Sequence, residues 1–192
     1  MWRPASADMP VLVALLRGIN VGGHHLIPMA DLRDLYTSLG FEGARTWLQS
    51  GNVVFRTRQR SLAKVVQEIE SGIEKRFGFH STVMTRTAAE MREIVARNPF
   101  SGREDVHPSR FVVFFLASDP GKETREKILA MPLGPQELRF HATEMYVHFQ
   151  EGFSQAGRPW LAVEKALNVA ATGRNWNTVR RLLAMAEEME ES

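Results

Sequence analysis

The chain has 192 residues, 44% of them hydrophobic and 24% charged, which is enough for one medium domain or two small ones and too apolar for a disordered protein. It holds no cysteine, which excludes thiol nucleophiles, iron–sulfur clusters, Cys-ligated zinc and disulfides, and fits a reducing compartment. The net charge, 24 − 22 = +2, does not advertise nucleic acid or an anionic membrane as a partner, although residues 1–100 carry 13 Lys/Arg against 9 Asp/Glu and residues 101–192 carry 11 against 13.

Residues 1–10 read as an N-terminal tail without an apolar run, so neither a signal peptide nor a membrane span is expected and the protein is placed in the cytoplasm. Val11–Leu16 is a continuous apolar run of strand length. Pro28 opens a helix with Leu32, Leu35, Tyr36 and Leu39 on one stripe, and Gly40 follows it in the C′ position. Thr46–Gln49 and Asn52–Phe55 flank Ser50-Gly51 and predict a hairpin with a two-residue turn. Ser61 caps a second helix carrying Leu62, Val65, Val66, Ile69, Ile73 and Phe77, with Gly78 at its end. Phe79–Thr85 supplies a fourth strand. Thr87 and Glu90 form a capping box for a further helix, which stops at Asn98-Pro99.

The pattern then restarts. Residues 99–109, with their prolines, glycine and mixed charges, read as a linker. Phe111–Leu116 is an apolar strand, Lys122–Met131 a helix, and Glu137–Phe140 with Met145–Phe149 a second hairpin. A helix over Trp160–Leu167, a weak strand at Val169–Ala171 and a helix from about Asn177 to Glu188 complete the series. Arg86 stands eight residues before Ile94 as Arg174 does before Leu182, and Arg92 and Arg180 follow those arginines by six. The expected architecture is α+β: two ferredoxin-like βαββαβ sandwiches in tandem over 11–98 and 110–192, each with an antiparallel sheet and an appended helix.

Three stretches carry a resemblance: Leu15 to Gly23 followed by Ile27-Pro28-Met29, Gln49 to Phe55, and Arg174 to Val179. With these motifs the chain, after Met9, resembles the bacterial domain of unknown function 1697 family. The resemblance implies a paired ferredoxin-like fold and no established activity. His24-His25 falls where relatives are expected to vary, which weakens a catalytic role for either histidine.

Read as chemistry, Arg17 to Gly23 leaves a buried strand and turns on three glycines, whose backbone N–H groups can converge on an anion beside a forked guanidinium. The same stretch also reads as a glycine-rich connection with Asn20 bonding its own turn. Arg174 to Thr178 sets a cation, two amides, an indole and a hydroxyl at a helix start, where an anion is favoured. Asn175 or Asn177 as N-cap is the structural alternative, and it leaves Arg174 unexplained. Gln49 to Asn52 is turn chemistry first. Together Arg17, Asn20, Gly22, Gly23, Asn52, Arg174 and Asn175 form the candidate site, expected to gather around one small anionic, phosphate- or nucleotide-bearing ligand in a cleft between the modules.

No cofactor is expected, and no metal either, because none of the six histidines has the i, i+4 helical spacing of a zinc pair. Residue patterns assign no acid/base dyad or reaction. Two alternatives compete with the anion site. One is nucleic-acid binding through the basic first half, with Arg56, Arg58, Arg60 and Lys64; the RNA-stacking motif of ferredoxin-like RNA-binding domains is absent, and the aromatics of the second half read as core. The other is a structural or protein-interaction module.

Overall fold

The computed structural model describes residues 9–192, apart from the side chain of Arg158. Residues 1–8, most of the expected tail, lie outside the described residues. Among the described residues the fold is mixed α+β, with two four-stranded antiparallel sheets and six α-helices. In chain order the elements are β1 (Val11–Leu16), α1 (Met29–Ser38), β2 (Glu42–Trp47), β3 (Asn52–Arg56), α2 (Leu62–Phe77), β4 (Val83–Thr87) and α3 (Ala88–Ala96). The same series returns as β5 (Phe111–Leu116), α4 (Lys122–Leu129), β6 (Glu137–His141), β7 (Glu144–His148), α5 (Gly157–Leu167), β8 (Ala171–Asn175) and α6 (Trp176–Glu191). One sheet has the order β2-β3-β1-β4, the other β6-β7-β5-β8. Contacts group the chain into two compact units: one runs up to Glu93 and adds Arg181–Ser192, the other is Ile94–Arg180. Chain order alone puts residues 110–192 together, whereas packing assigns the last turns of α6 to the first unit.

In the first unit, alternation along β1 sends Leu12, Ala14 and Leu16 to the helical side. There they meet Leu32, Leu35 and Tyr36 of α1 and Val65, Ile69 and Ile73 of α2. Each such apolar side chain contributes about 1.5–3 kcal/mol by leaving water. Local signals set the helix ends: Ser61 Oγ accepts from the Lys64 N–H, Gly78 closes α2 at φ 77°, and Gly40 follows α1 at φ 80°. The predicted capping box of α3 is complete, because the Glu90 N–H donates to Thr87 Oγ1 and the Thr87 N–H donates to Glu90 Oε2. On the opposite face of this sheet, Arg56 donates to the Met189 carbonyl, Arg181 lies 5.3 Å from the Trp47 ring, and Arg92 pairs with Glu187 and Glu190.

The second unit repeats the pattern with a more aromatic core: Phe114, Phe149, Phe153 and Trp160 pack ring against ring at 4.7–6.4 Å. On its other face the Tyr146 hydroxyl donates to the Ile94 carbonyl, and Trp176 stacks on Phe111 at 4.7 Å. Residues 99–109 are turns without helix or strand, yet they are tied down: Phe100 is buried with its ring edge-on to Phe111, and Arg103 pairs with Glu137.

Several elements differ from the sequence reading, among them β2, which is Glu42–Trp47 rather than Thr46–Gln49. The first hairpin turns over four residues, Leu48–Gly51, because Trp47 pairs with Asn52 and both Leu48 and Gly51 take positive φ. The fourth strand of the first unit is Val83–Thr87, later than Phe79–Thr85. Helix α5 begins at Gly157, before the expected Trp160; Pro159 stands in its first turn, where no N–H partner is required. The weak strand expected at Val169–Ala171 is β8, Ala171–Asn175, whose polar Ala-Thr-Gly-Arg-Asn sequence is held as a strand by pairing along β5.

Tyr36 makes a sharp test of the first core. It is fully buried and its hydroxyl has no hydrogen-bond partner among the described residues, and burial pushes its ionisation far above the ordinary tyrosine range. Removing an orphaned buried hydroxyl recovers its desolvation cost. Tyr36→Phe is expected to raise stability by about 1 kcal/mol in urea titrations with an unchanged m-value.

Candidate functional site

The candidate residues divide between the units. Arg17, Asn20, Gly22, Gly23 and Asn52 belong to the first, Arg174 and Asn175 to the second. In the first, the loop after β1 lies against the hairpin turn. Asn20 Nδ2 donates to the Ile27 carbonyl at 3.0 Å and to the Gln49 carbonyl at 2.7 Å, while its Oδ1 accepts from the Ile27 N–H. All three bonds are internal, so this amide is a clamp joining two of the three sequence motifs. Gly22 and Gly23 are the centre of a tight turn: both have positive φ, and the His24 N–H donates to the Val21 carbonyl. Two successive positive φ values make a type I′ turn, which favours glycine at both central positions.

Asn52 is 0% exposed; its Nδ2 donates to the Trp47 carbonyl and to Ser50 Oγ, each at 2.9 Å. Its counterpart in the second sheet is Glu144, since Leu15 pairs with Asn52 as Phe115 pairs with Glu144. Arg86 and Arg174 are likewise equivalent, set opposite Val13 and Val113. Both are over 90% buried, and each donates from Nη1 to the carbonyl of the residue before it at 2.8 Å. Arg174 also donates to Thr172 Oγ1, and burial lowers its guanidinium pKa to about 10. It lies within β8, directly before the Asn175 cap and two residues ahead of Trp176, where α6 begins. Asn175 is the N-cap: its Oδ1 accepts from the Thr178 N–H at 2.9 Å.

Arg17 differs from the other candidates. Its backbone is pinned, because its N–H donates to the Thr82 carbonyl and its own carbonyl accepts from Ser81 Oγ at 2.9 Å. The residue is exposed and lines a cavity of about 340 Å³ with Gly18, His25, His80, Ser81 and Thr82. His25 is held there by stacking on Phe79 at 4.3 Å, with Nδ1 3.3 Å from the Gly18 carbonyl. A guanidinium, two imidazoles and a hydroxyl-bearing turn thus share one shallow cavity. His25 follows Arg17 in the same loop, whereas His80 escaped sequence reasoning: it joins Arg17 only through the pairing of β1 with β4, and no local spacing signals it. A larger cavity of about 700 Å³ lies between β1 and Arg56, Arg60 and Glu190. It borders Met9, where the described residues begin, and contains none of the candidate residues.

The basic residues of the nucleic-acid alternative are partly spent on their own unit. Arg56 donates to the Met189 carbonyl at the end of α6 and to Ser192 Oγ, and Arg58 pairs with Glu42 at 3.3 Å. Of the aromatics of the second half, Phe111, Phe114, Phe115, Tyr146 and Phe149 are buried rather than displayed for base stacking. No helix among the described residues is long and apolar enough to cross a membrane.

Comparison with the curated proteins finds no match. Among solved structures, a conserved bacterial protein from Streptococcus pneumoniae is similar, with 22% identity and a TM-score of 0.72 over 93% of this chain and 99% of that one. At that identity the likeness speaks for the fold alone. Residues 9–146 match the family described as "Protein of unknown function (DUF1697)", a span that includes the Arg17 loop and the Gln49–Phe55 hairpin and ends before Arg174. The chain belongs to that family.

Proposed function

We propose that the protein binds a small anionic ligand, a phosphate- or carboxylate-bearing metabolite, in the Arg17 cavity of the first unit. The observation that carries this reading is the exposed Arg17 side chain on a pinned backbone, facing a cavity shared with His25, His80 and Ser81. A guanidinium forks onto phosphate or carboxylate oxygens, and imidazoles add donors. Asn20, Gly22, Gly23 and Asn52 then act one step back, holding the loop through the clamp, the tight turn and the hairpin. The ligand is held by positioned charge and donors, a binding rather than a covalent chemistry. We further infer that each unit is ferredoxin-like, since strand orders β2-β3-β1-β4 and β6-β7-β5-β8 with paired helices are those of a βαββαβ sandwich.

Thermal melts of wild type and Arg17→Ala against nucleotides, sugar phosphates, carboxylates and short RNAs test this. The expected result is that one phosphate- or carboxylate-bearing compound raises the wild-type Tm with concentration, and that Arg17→Ala binds it about tenfold or more weakly, the worth of a charge-assisted bond. Because Arg17 is exposed, the unliganded variant should melt close to wild type. Equal stabilisation of both proteins overturns the site, and stabilisation by RNA alone that collapses with salt favours the nucleic-acid reading.

A further inference from the structure

The second unit contains a side-chain cluster that no sequence motif marks. His148 ends β7, is 2% exposed, and its Nδ1 has no hydrogen-bond partner among the described residues. The β6–β7 register sets Glu137 directly opposite, with Oε1 3.6 Å from that nitrogen. Asp105 arrives from the turns before β5. One ligand atom each from Asp105, Glu137 and His148 lies within 4.8 Å of the others.

Arg103 spans the two acids. Its Nη1 and Nη2 donate to Glu137 Oε2 and Oε1 at 2.7 Å each, and Nε and Nη2 donate to Asp105 at 3.0 and 2.5 Å. These bonds gather both carboxylates at one point. A guanidinium so engaged leaves the imidazole unanswered. A cation that accepts a nitrogen lone pair and two carboxylate oxygens answers all three groups at once.

We propose that Asp105, Glu137 and His148 bind a divalent transition metal, zinc being the best fit, and that Arg103 occupies the carboxylates when the metal is absent. One imidazole nitrogen with two carboxylate oxygens suits zinc or manganese and disfavours calcium and magnesium, which take oxygen sets. Bond lengths of about 2.0–2.2 Å require the three ligand atoms to close slightly. Asp105, on an exposed turn with its side chain 61% accessible, is the ligand placed to move. Three protein ligands leave a fourth position open to water.

The test uses the full chain stripped with a chelator, then titrated with zinc chloride by calorimetry and by thermal melts, with magnesium chloride as control. The expected result is one saturable equivalent of zinc that raises the Tm, with no effect of magnesium. Asp105→Asn should weaken zinc binding about tenfold or more, in line with the loss of one ligand, and His148→Gln should abolish it. Arg103→Gln should tighten zinc several-fold by removing the competing cation. If His148→Gln fails to fold, Asp105→Asn and Arg103→Gln decide. No zinc-dependent stabilisation of wild type overturns the proposal, as does zinc binding unchanged in Asp105→Asn, which would assign the metal to other histidines. Weaker zinc binding in Arg103→Gln overturns the exchange with Arg103.

Discussion

Gly51→Ala is expected to destabilise the protein by about 3 kcal/mol, lowering Tm by roughly 6–12 °C for a chain of this size. Two costs combine. Gly51 has φ +72°, where a Cβ is strained by about 1 kcal/mol. The added Cβ would also stand 2.7 Å from the Leu16 Cβ and 2.8 Å from the Ile19 Cδ1. The Leu16 Cβ is fixed to the backbone of β1, and the Leu16 N–H donates to the Gly51 carbonyl at 2.9 Å, so neither side can retreat without breaking that bond. Gly40→Ala separates the two costs. Gly40 has φ +80° with nothing within 4 Å of its would-be Cβ, so this variant should lose only the strain of about 1 kcal/mol. Equal losses in the two variants, measured by urea titration, would refute the close-packing account of Gly51.

That result would explain why two of the motifs that carry the family resemblance stand together. The loop after β1 and the Gln49–Phe55 hairpin are one packed unit, joined by Gly51 against Leu16 and by the Asn20 amide on the Gln49 carbonyl. Sequence exposes the residues of this contact without its purpose. An amide that clamps two backbone carbonyls and an amide that binds a ligand need the same atoms, and only the tertiary approach of Gln49 tells them apart. Elements with local causes were legible: the Ser61 cap, the Gly78 stop and the Thr87–Glu90 box each act within four residues. β8 was obscured because Thr172, Gly173 and Arg174 have no strand pattern of their own and become a strand by pairing with β5. With β8 extended to Asn175, Arg174 is the counterpart of Arg86 on a sheet and Asn175 is the cap of α6. His80 beside Arg17 had no sequence signal, since it reaches that cavity through strand pairing.

The duplication itself predicts a coupled substitution. Register places Ala14 opposite Thr85 in the first sheet and Phe114 opposite Gly173 in the second, so the repeats divide the same cross-strand space in opposite ways. A Cβ on Gly173 would lie 2.8 Å from the Phe114 Cε1 and 3.1 Å from the Val112 Cγ1. The Phe114 ring cannot swing aside, being 4.7 Å from Trp160 and within the cluster of Phe149 and Phe153. Gly173→Thr alone is therefore expected to cost about 2–3 kcal/mol through overpacking. Phe114→Ala alone should cost about 3–5 kcal/mol by emptying the aromatic core. Made together, the two changes install the Ala14–Thr85 pair in the second sheet: the threonine gains the space the ring leaves, and its β-branched side chain suits a strand. The double variant should be more stable than the sum of the single losses by about 1–2 kcal/mol, a coupling that a double-mutant cycle in urea reads directly. Strict additivity would mean that the two positions do not share that space, and that the repeats are alike in topology without being alike in packing.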